Sequence, residues 1–135
     1  MNEKQIQIAP TEWEIMEVLW KETPLSAAEI FERLNPDTQW NVKTVRAFLD
    51  RLIKKNAVSR YKIHGIYVFE PVVAHSKCLR QESRSFLERF FRGNPVSMIS
   101  HFIEEENLSE KDIARLQQIL EKAENKNQSD SREEQ

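Results

Sequence analysis

The stretch NVKTVRAFLDRLIKKN, residues 41–56, has two chemically different faces when it is drawn as a helix. At about 100° per residue, the apolar side chains fall within one arc: Val42, Val45, Phe48, Leu49, Leu52 and Ile53. The remaining surface carries one acid, Asp50, and five basic side chains: Lys43, Arg46, Arg51, Lys54 and Lys55. The pattern predicts a helix that buries one face in a core and presents a basic face outward.

This positive charge is confined to one part of the chain. The 135 residues together have a formal net charge of −2. Residues 41–65 carry seven basic and one acidic side chain, a balance of +6, whereas residues 104–135 carry five basic and ten acidic, a balance of −5. A local basic surface can attract polyanions even when the total charge is slightly negative.

The composition predicts a soluble cytoplasmic protein with one domain, or one domain and an appendage. Hydrophobic residues make up 39% and charged residues 31% of the sequence. No apolar run approaches the roughly 20 residues that a membrane helix needs, and residues 1–10, MNEKQIQIAP, lack the apolar segment of a signal peptide. A single cysteine, Cys78, excludes an intramolecular disulfide and is typical of a reducing compartment.

Two further helices are predicted before residue 41. TEWEIMEVLW, residues 11–20, begins with a capping-box pattern of Thr11 and Glu14, and SAAEIFERL, residues 26–34, repeats it with Ser26 and Glu29. We expect the three helices to share one core, built by large apolar side chains: Trp13, Trp20, Phe31, Val45, Leu49 and Leu52.

A β-hairpin is predicted directly after the third helix. AVSRYKIHGIYVFEPV, residues 57–72, is rich in β-branched and aromatic residues, and Gly65 places the turn near Lys62–Gly65. Three helices followed by a hairpin is the order of a winged helix-turn-helix. The predicted fold class is therefore mainly α with a small β-hairpin wing, followed by a C-terminal helical arm.

The basic face of the third helix and the wing carry the predicted contacts to double-stranded DNA. A recognition helix lies in the major groove, where its cations neutralise phosphates and its polar groups read base edges. The wing reaches the flanking backbone or the minor groove. The predicted contacts are Lys43, Thr44, Arg46, Ala47, Arg51 and Lys54 on the helix, and Arg60, Lys62 and His64 on the wing.

The C-terminal half is predicted to form a homodimer. Helices are expected at about 74–92, 95–104 and from 109 onward, and the polar tail 124–135 is expected to be disordered. The predicted domains are 1–72 for the winged helix and 73–123 for the dimerisation helices. Three short helices cannot bury their apolar side chains alone, which favours an interface: Phe86, Phe90, Met98, Ile99, Phe102, Ile113, Leu116 and Leu120.

Other functions have weaker support in the sequence. A chain with two glycines is unsuited to a phosphate-binding loop, and no acid–base pair stands out, so we expect no enzyme and no cofactor. His75 and Cys78 could begin a metal site or a redox site, but no third ligand lies nearby, which favours a buried thiol beside a solvent-facing imidazole. The competing class is a winged helix that binds proteins and does not read a DNA sequence.

Four segments resemble the penicillinase-repressor family of bacterial regulators (the BlaI, MecI and CopY type) over roughly residues 6–123: TEWEIMEVLW, SAAEIFERL, KTVRAFLDRLIKK and YVFEPVV. The resemblance implies a homodimeric winged-helix repressor whose N-terminal domain binds an operator and whose C-terminal helices form the dimer. It matches Lys43, Thr44 and Arg46 to base-proximal positions. It also matches Arg51, Arg60 and Lys62 to phosphate contacts.

The resemblance also implies a mode of induction, with two departures. In one branch a regulatory protease triggers cleavage at an Asn-Phe bond, and His101–Phe102 occupies that position here. In the copper branch C-terminal Cys-x-Cys pairs bind metal, and this sequence has no cysteine after Cys78. The operator sequence, the regulated genes and the inducing signal do not follow from the sequence.

Overall fold

The predicted order of helices and strands is present in the computed structural model, which describes residues 6–133. The helices are α1 (Pro10–Lys21), α2 (Ala27–Arg33), α3 (Val42–Lys54), α4 (His75–Phe91), α5 (Pro95–Glu105) and α6 (Glu110–Glu133), and the strands are β1 (Val58–Ile63) and β2 (Ile66–Pro71). The chain divides into two compact units, of which the first ends at Ser85 and the second begins at Phe86.

The core of the first unit lies between α1, α2, α3 and the hairpin. Val45, Leu49 and Leu52 of α3 have no exposed surface, as the apolar arc predicts. Trp13 and Trp20 pack against this core from its edge and remain half-buried. Phe31 was predicted to lie in the core and is 37% exposed. The seven-residue α2 turns Ala27 and Ile30 inward, which leaves Phe31 at its margin.

The hairpin is tied to the helices by a third extended segment. β1 and β2 pair antiparallel, with Val58 opposite Pro71 and Ile63 opposite Ile66. Leu25, just before α2, exchanges two backbone hydrogen bonds with Phe69 of β2, at 3.1 and 2.8 Å. This bridge fixes the base of the wing against the helix-turn-helix.

The helix caps confirm one sequence prediction and correct another. Ser26 and Glu29 form the predicted capping box of α2. The proposed box of Thr11 and Glu14 is wrong, because α1 begins two residues earlier with Pro10 at its first position, where proline is favoured. There the Glu12 carboxylate accepts a hydrogen bond from the backbone N–H of Ala9 at 2.8 Å.

The first unit extends beyond the predicted boundary at residue 72 because the start of α4 packs on α1. Cys78 is buried in the core, and the Trp20 indole donates a hydrogen bond to the carbonyl of Val73 at 3.0 Å. The imidazole of His75 lies 4.6 Å from the Trp20 ring, between centroids. These contacts join residues 73–85 to the winged helix.

The second unit contains the end of α4 with α5 and α6. Phe86 contacts Phe90, Phe91 and Phe102, at centroid distances of 5.0–6.5 Å. No residue described between 86 and 130 is classed as buried, and Phe90 and Leu120 are 58% and 64% exposed. Among the described residues no helix is long and apolar enough to cross a membrane.

Residues 124–133 belong to the tail for which the sequence predicts disorder, and the structure describes them as part of α6. α6 continues without interruption to Glu133, and residues 134–135 lie outside the described part. Residues 110–133 contain neither proline nor glycine, so none of the strong helix-breaking residues interrupts α6. The polar composition of the tail predicts that it does not contact a hydrophobic core. A helix can form without such a contact.

Candidate nucleic-acid interface

The start of α3 is capped by a side chain of the preceding turn. The Asn41 Oδ1 atom accepts hydrogen bonds from the backbone N–H of Thr44 at 2.9 Å and from its hydroxyl at 3.1 Å. The Thr44 hydroxyl therefore has its proton engaged within the protein, and it can still accept a hydrogen bond from a base amino group. Asn41 thus fixes both the first turn of the helix and the orientation of Thr44.

The outer face of α3 is basic and unpaired with acids. Lys43, Arg46, Arg51 and Lys54 are exposed, with Ala47 between them. In the part of the chain that the structure describes, ion pairs join Arg33 to Glu22 and Lys55 to Glu12, and none involves these four cations. Their charge is therefore available to an external anion.

Lys55 does not belong to this face. The helical projection grouped it with the other cations, but it lies at the C-cap of α3, beyond the last regular turn. Its ammonium group turns back to the buried carboxylate of Glu12 and donates to the carbonyl of Gln7 at 2.8 Å. Of the five basic side chains in residues 41–56, four therefore lie on the exposed face of α3.

The wing brings Arg60 and Lys62 together on one aromatic ring. The Arg60 guanidinium lies 4.4 Å and the Lys62 ammonium 4.8 Å from the centroid of Tyr67. Lys62 stands directly opposite Tyr67 in the strand register, and Arg60 lies two residues along the same face. Tyr67 therefore positions both predicted phosphate contacts.

The opposite face of the wing is apolar. Tyr61, Ile63 and Ile66 are exposed there, and the Tyr61 hydroxyl donates to Glu70 at 3.3 Å. Desolvation, reinforced by the Glu70 charge, raises the pKa of the Tyr61 phenol above its ordinary value. The two faces of the hairpin are thus chemically distinct.

The tip of the wing is a tight turn at the predicted place. His64 and Gly65 have φ values of 50° and 82°, the left-handed pair that a two-residue hairpin requires. Glycine adopts this conformation without strain, whereas His64 adopts it only because the turn imposes it. His64 is exposed at the tip, beyond Arg60 and Lys62.

The other sequence candidates lie in ordinary packing environments. Burial raises the pKa of the Cys78 thiol, which makes it a poorer nucleophile and metal ligand. Within the described residues, no group of three or more His, Cys, Asp or Glu side chains could hold a metal ion. His101 contacts the rings of Phe91 and Phe102 at 5.7 and 5.6 Å.

Comparison with known proteins places this fold in a defined group. The family described as "Penicillinase repressor" matches residues 8–122. The chain belongs to the penicillinase repressor family. It is 37% identical over 120 residues to the penicillinase repressor of Bacillus licheniformis, covering 89% of this chain and 94% of that one. It is 32% identical over 122 residues to the methicillin resistance regulatory protein MecI of Mammaliicoccus sciuri, covering 90% and 99%.

Two solved structures of the repressor BlaI match about half of the chain. The DNA-binding domain of the repressor BlaI is 33% identical, with a TM-score of 0.48, and the match covers 56% of this chain and 92% of that domain. The Bacillus licheniformis BlaI monomeric form, solved in complex with the blaP half-operator, is 34% identical, with a TM-score of 0.47 and coverage of 53% and 89%.

We expect Lys54 to contact a DNA phosphate, so its charge should strengthen binding to any DNA sequence. Each phosphate contact contributes roughly 0.9 to the slope of log K on log salt for duplex DNA. We expect Lys54→Ala to lower the slope by about that amount per protomer and to weaken specific and scrambled duplexes alike. Titrations at several salt concentrations measure this, with Lys21→Ala as the control because Lys21 is an exposed cation of α1 outside the predicted contacts. An unchanged slope for Lys54→Ala would remove it from the interface.

Tyr67 should act by holding the two wing cations in place. We expect Tyr67→Leu to weaken binding by about 0.5–1.5 kcal/mol, the ordering cost of a long side chain, with an unchanged salt slope because both charges remain. Tyr67→Phe retains the ring and should bind like the original chain. A fluorescence anisotropy titration distinguishes them, and equal weakening by both substitutions would assign the effect to the hydroxyl instead.

Proposed function

We propose that this protein is a transcriptional repressor that binds operator DNA through α3 and the wing. The observation that carries the proposal is the exposed face of α3, where four cations have no acidic partner among the described residues. Membership of the penicillinase repressor family supports the same function. One of the similar proteins, the monomeric form of Bacillus licheniformis BlaI, was solved in complex with the blaP half-operator.

In this proposal α3 lies in the major groove, and its N-terminal turns approach the bases. Lys43, Thr44 and Arg46 are the residues proposed to lie nearest the base edges, with the guanidinium of Arg46 suited to a bidentate contact with guanine. Arg51 and Lys54, further along the helix, neutralise phosphates. The guanidinium of Arg51 also lies 5.6 Å from the ring of Phe48, which limits its motion.

The second unit is proposed to join two copies. Its apolar side chains are only partly buried within one chain, and a symmetric partner would cover them. The proposed interface contains the predicted set: Phe86, Phe90, Met98, Ile99, Phe102, Ile113, Leu116 and Leu120. A two-fold dimer presents two copies of α3, so the operator should be an inverted repeat.

Release from DNA is proposed to follow cleavage between His101 and Phe102 by a regulatory protease. Both residues are exposed, yet the bond lies inside α5, so the helix must open locally before a protease can bind it. Cleavage there would separate α6 from the rest of the chain. The winged helix would thereby lose four apolar side chains of the proposed interface: Phe102, Ile113, Leu116 and Leu120.

A selection experiment tests the proposed function. The intact chain is mixed with a random-sequence duplex library, and the bound duplexes are sequenced and titrated at several salt concentrations. We expect an enriched inverted-repeat motif and binding that weakens steeply as salt rises. The alternative is a winged helix that binds proteins, for which the exposed apolar face of the wing would be suited. Such a protein would enrich no motif and give no salt-sensitive shift.

A further inference from the structure

A buried ion pair joins the end of α3 to the start of α1. The Glu12 side chain is 1% exposed and pairs with the Lys55 ammonium group, whose side chain is 36% exposed. One carboxylate oxygen of Glu12 accepts both from Lys55 and from the backbone N–H of Ala9. The other oxygen is buried without a hydrogen-bond partner among the described residues.

This arrangement is costly for a role in stability alone. A carboxylate taken out of water with one oxygen unsatisfied loses solvation that two donors on its other oxygen do not fully replace. A well-packed apolar pair of similar volume often stabilises a fold as well or better. The pair does, however, restrict where the Lys55 side chain can lie, because its ammonium group must reach both Glu12 and the Gln7 carbonyl.

Lys55 is also the C-cap residue, directly after the last residue of α3. Its backbone N–H donates to the carbonyl of Arg51 at 3.0 Å, and its side chain points away from the exposed cations of the helix. The tether therefore adds a constraint on the end and the rotation of α3, beside the one that the buried Val45, Leu49 and Leu52 provide. A small rotation would move Arg46 and Lys43 relative to the bases.

We infer that Glu12 and Lys55 are a positioning pair that fixes the placement of α3 for sequence recognition, although neither touches DNA. The inference rests on the proposed function, since it assigns to this pair the accuracy of base contacts made by other residues. Lys55 then contributes nothing to the phosphate charge count, in contrast to its neighbour Lys54.

The test separates stability from recognition by removing both charges together. Lys55→Met alone leaves a buried charge unpaired and should lower the melting temperature sharply. Glu12→Gln combined with Lys55→Met retains an acceptor for the Ala9 N–H and should recover most of that loss. The matched control is Glu22→Gln with Arg33→Met, which removes a bidentate but largely exposed pair of the same domain.

The folded double variant is titrated with a duplex that the intact chain selects from a random library, and with the same duplex scrambled. We expect the ratio of the two affinities to fall at least about tenfold, the size of one misplaced bidentate base contact, while the salt slope stays unchanged. The control pair should change neither quantity. An unchanged ratio would overturn the inference, and a reduced slope would make Lys55 a phosphate contact instead.

Amide hydrogen exchange without DNA provides a second readout that does not depend on the proposed function. In the double variant the amides at the end of α3, including the one at position 55, should exchange faster than in the original chain, whereas those of α2 should not. Unchanged exchange at the end of α3 would overturn the inference. If the intact chain selects no DNA sequence, the repressor function fails while exchange still decides whether the pair fixes α3.

Discussion

A fragment that ends at His101 should bind its operator roughly 10²–10⁴-fold more weakly than the intact chain, because the second DNA contact is no longer intramolecular. The fragment retains the described first unit but lacks α6 and the end of α5. We expect it to be largely monomeric at micromolar concentration and to keep its winged-helix fold. Sedimentation beside a gel shift on the full operator measures both properties.

A second fragment provides the matched control. A chain that ends at Ala123 retains the apolar positions of α6 and removes only its polar last turns. It should remain dimeric and bind like the intact chain. If the fragment ending at His101 also stays dimeric and binds with full affinity, both the dimer interface and the proposed route of induction are wrong.

Arg46→Ala should weaken operator binding by about 1–3 kcal/mol and relax the preference at one base position. Arg46 is exposed on α3 without an acidic partner among the described residues, so its guanidinium is free to contact guanine. A titration of all single-base variants of the operator would locate the relaxed position in each half-site. Unchanged affinity and preference would mean that α3 is placed wrongly on the DNA.

Arg46→Lys refines this experiment because it keeps the charge and removes the planar fork. We expect it to retain the salt dependence of the intact chain but to lose much of the preference for guanine. If Arg46→Ala instead weakened binding to all operator variants equally and reduced the salt slope, without changing the base preference, Arg46 would be assigned to a phosphate contact.

The fold was largely predictable because its signals are local. The apolar arc of α3 follows from helical periodicity, and the hairpin follows from β-branched residues on both sides of Gly65. The basic face of α3 was predictable for the same reason. Each of these features depends on residues close together in the chain.

One error concerns a contact between residues that are distant in sequence, and two omissions concern local signals that were present. Lys55 looks like one more surface cation until its partner Glu12, 43 residues earlier, is known. Tyr67 was not predicted to take part in the interface, although its register opposite Lys62 follows from a turn at His64–Gly65. Asn41 was overlooked as the cap of α3, although an asparagine immediately before a helix is a recognisable signal.

The central claim is that two copies of α3 read one symmetric site, and a hydroxyl-radical footprint of the intact chain on its selected duplex tests it most directly. We predict two protected half-sites related by two-fold symmetry, with centres about one helical turn, or a small multiple, apart. Protection should disappear as salt rises, through counterion release. A single asymmetric half-site, or protection that does not respond to salt, would contradict the account.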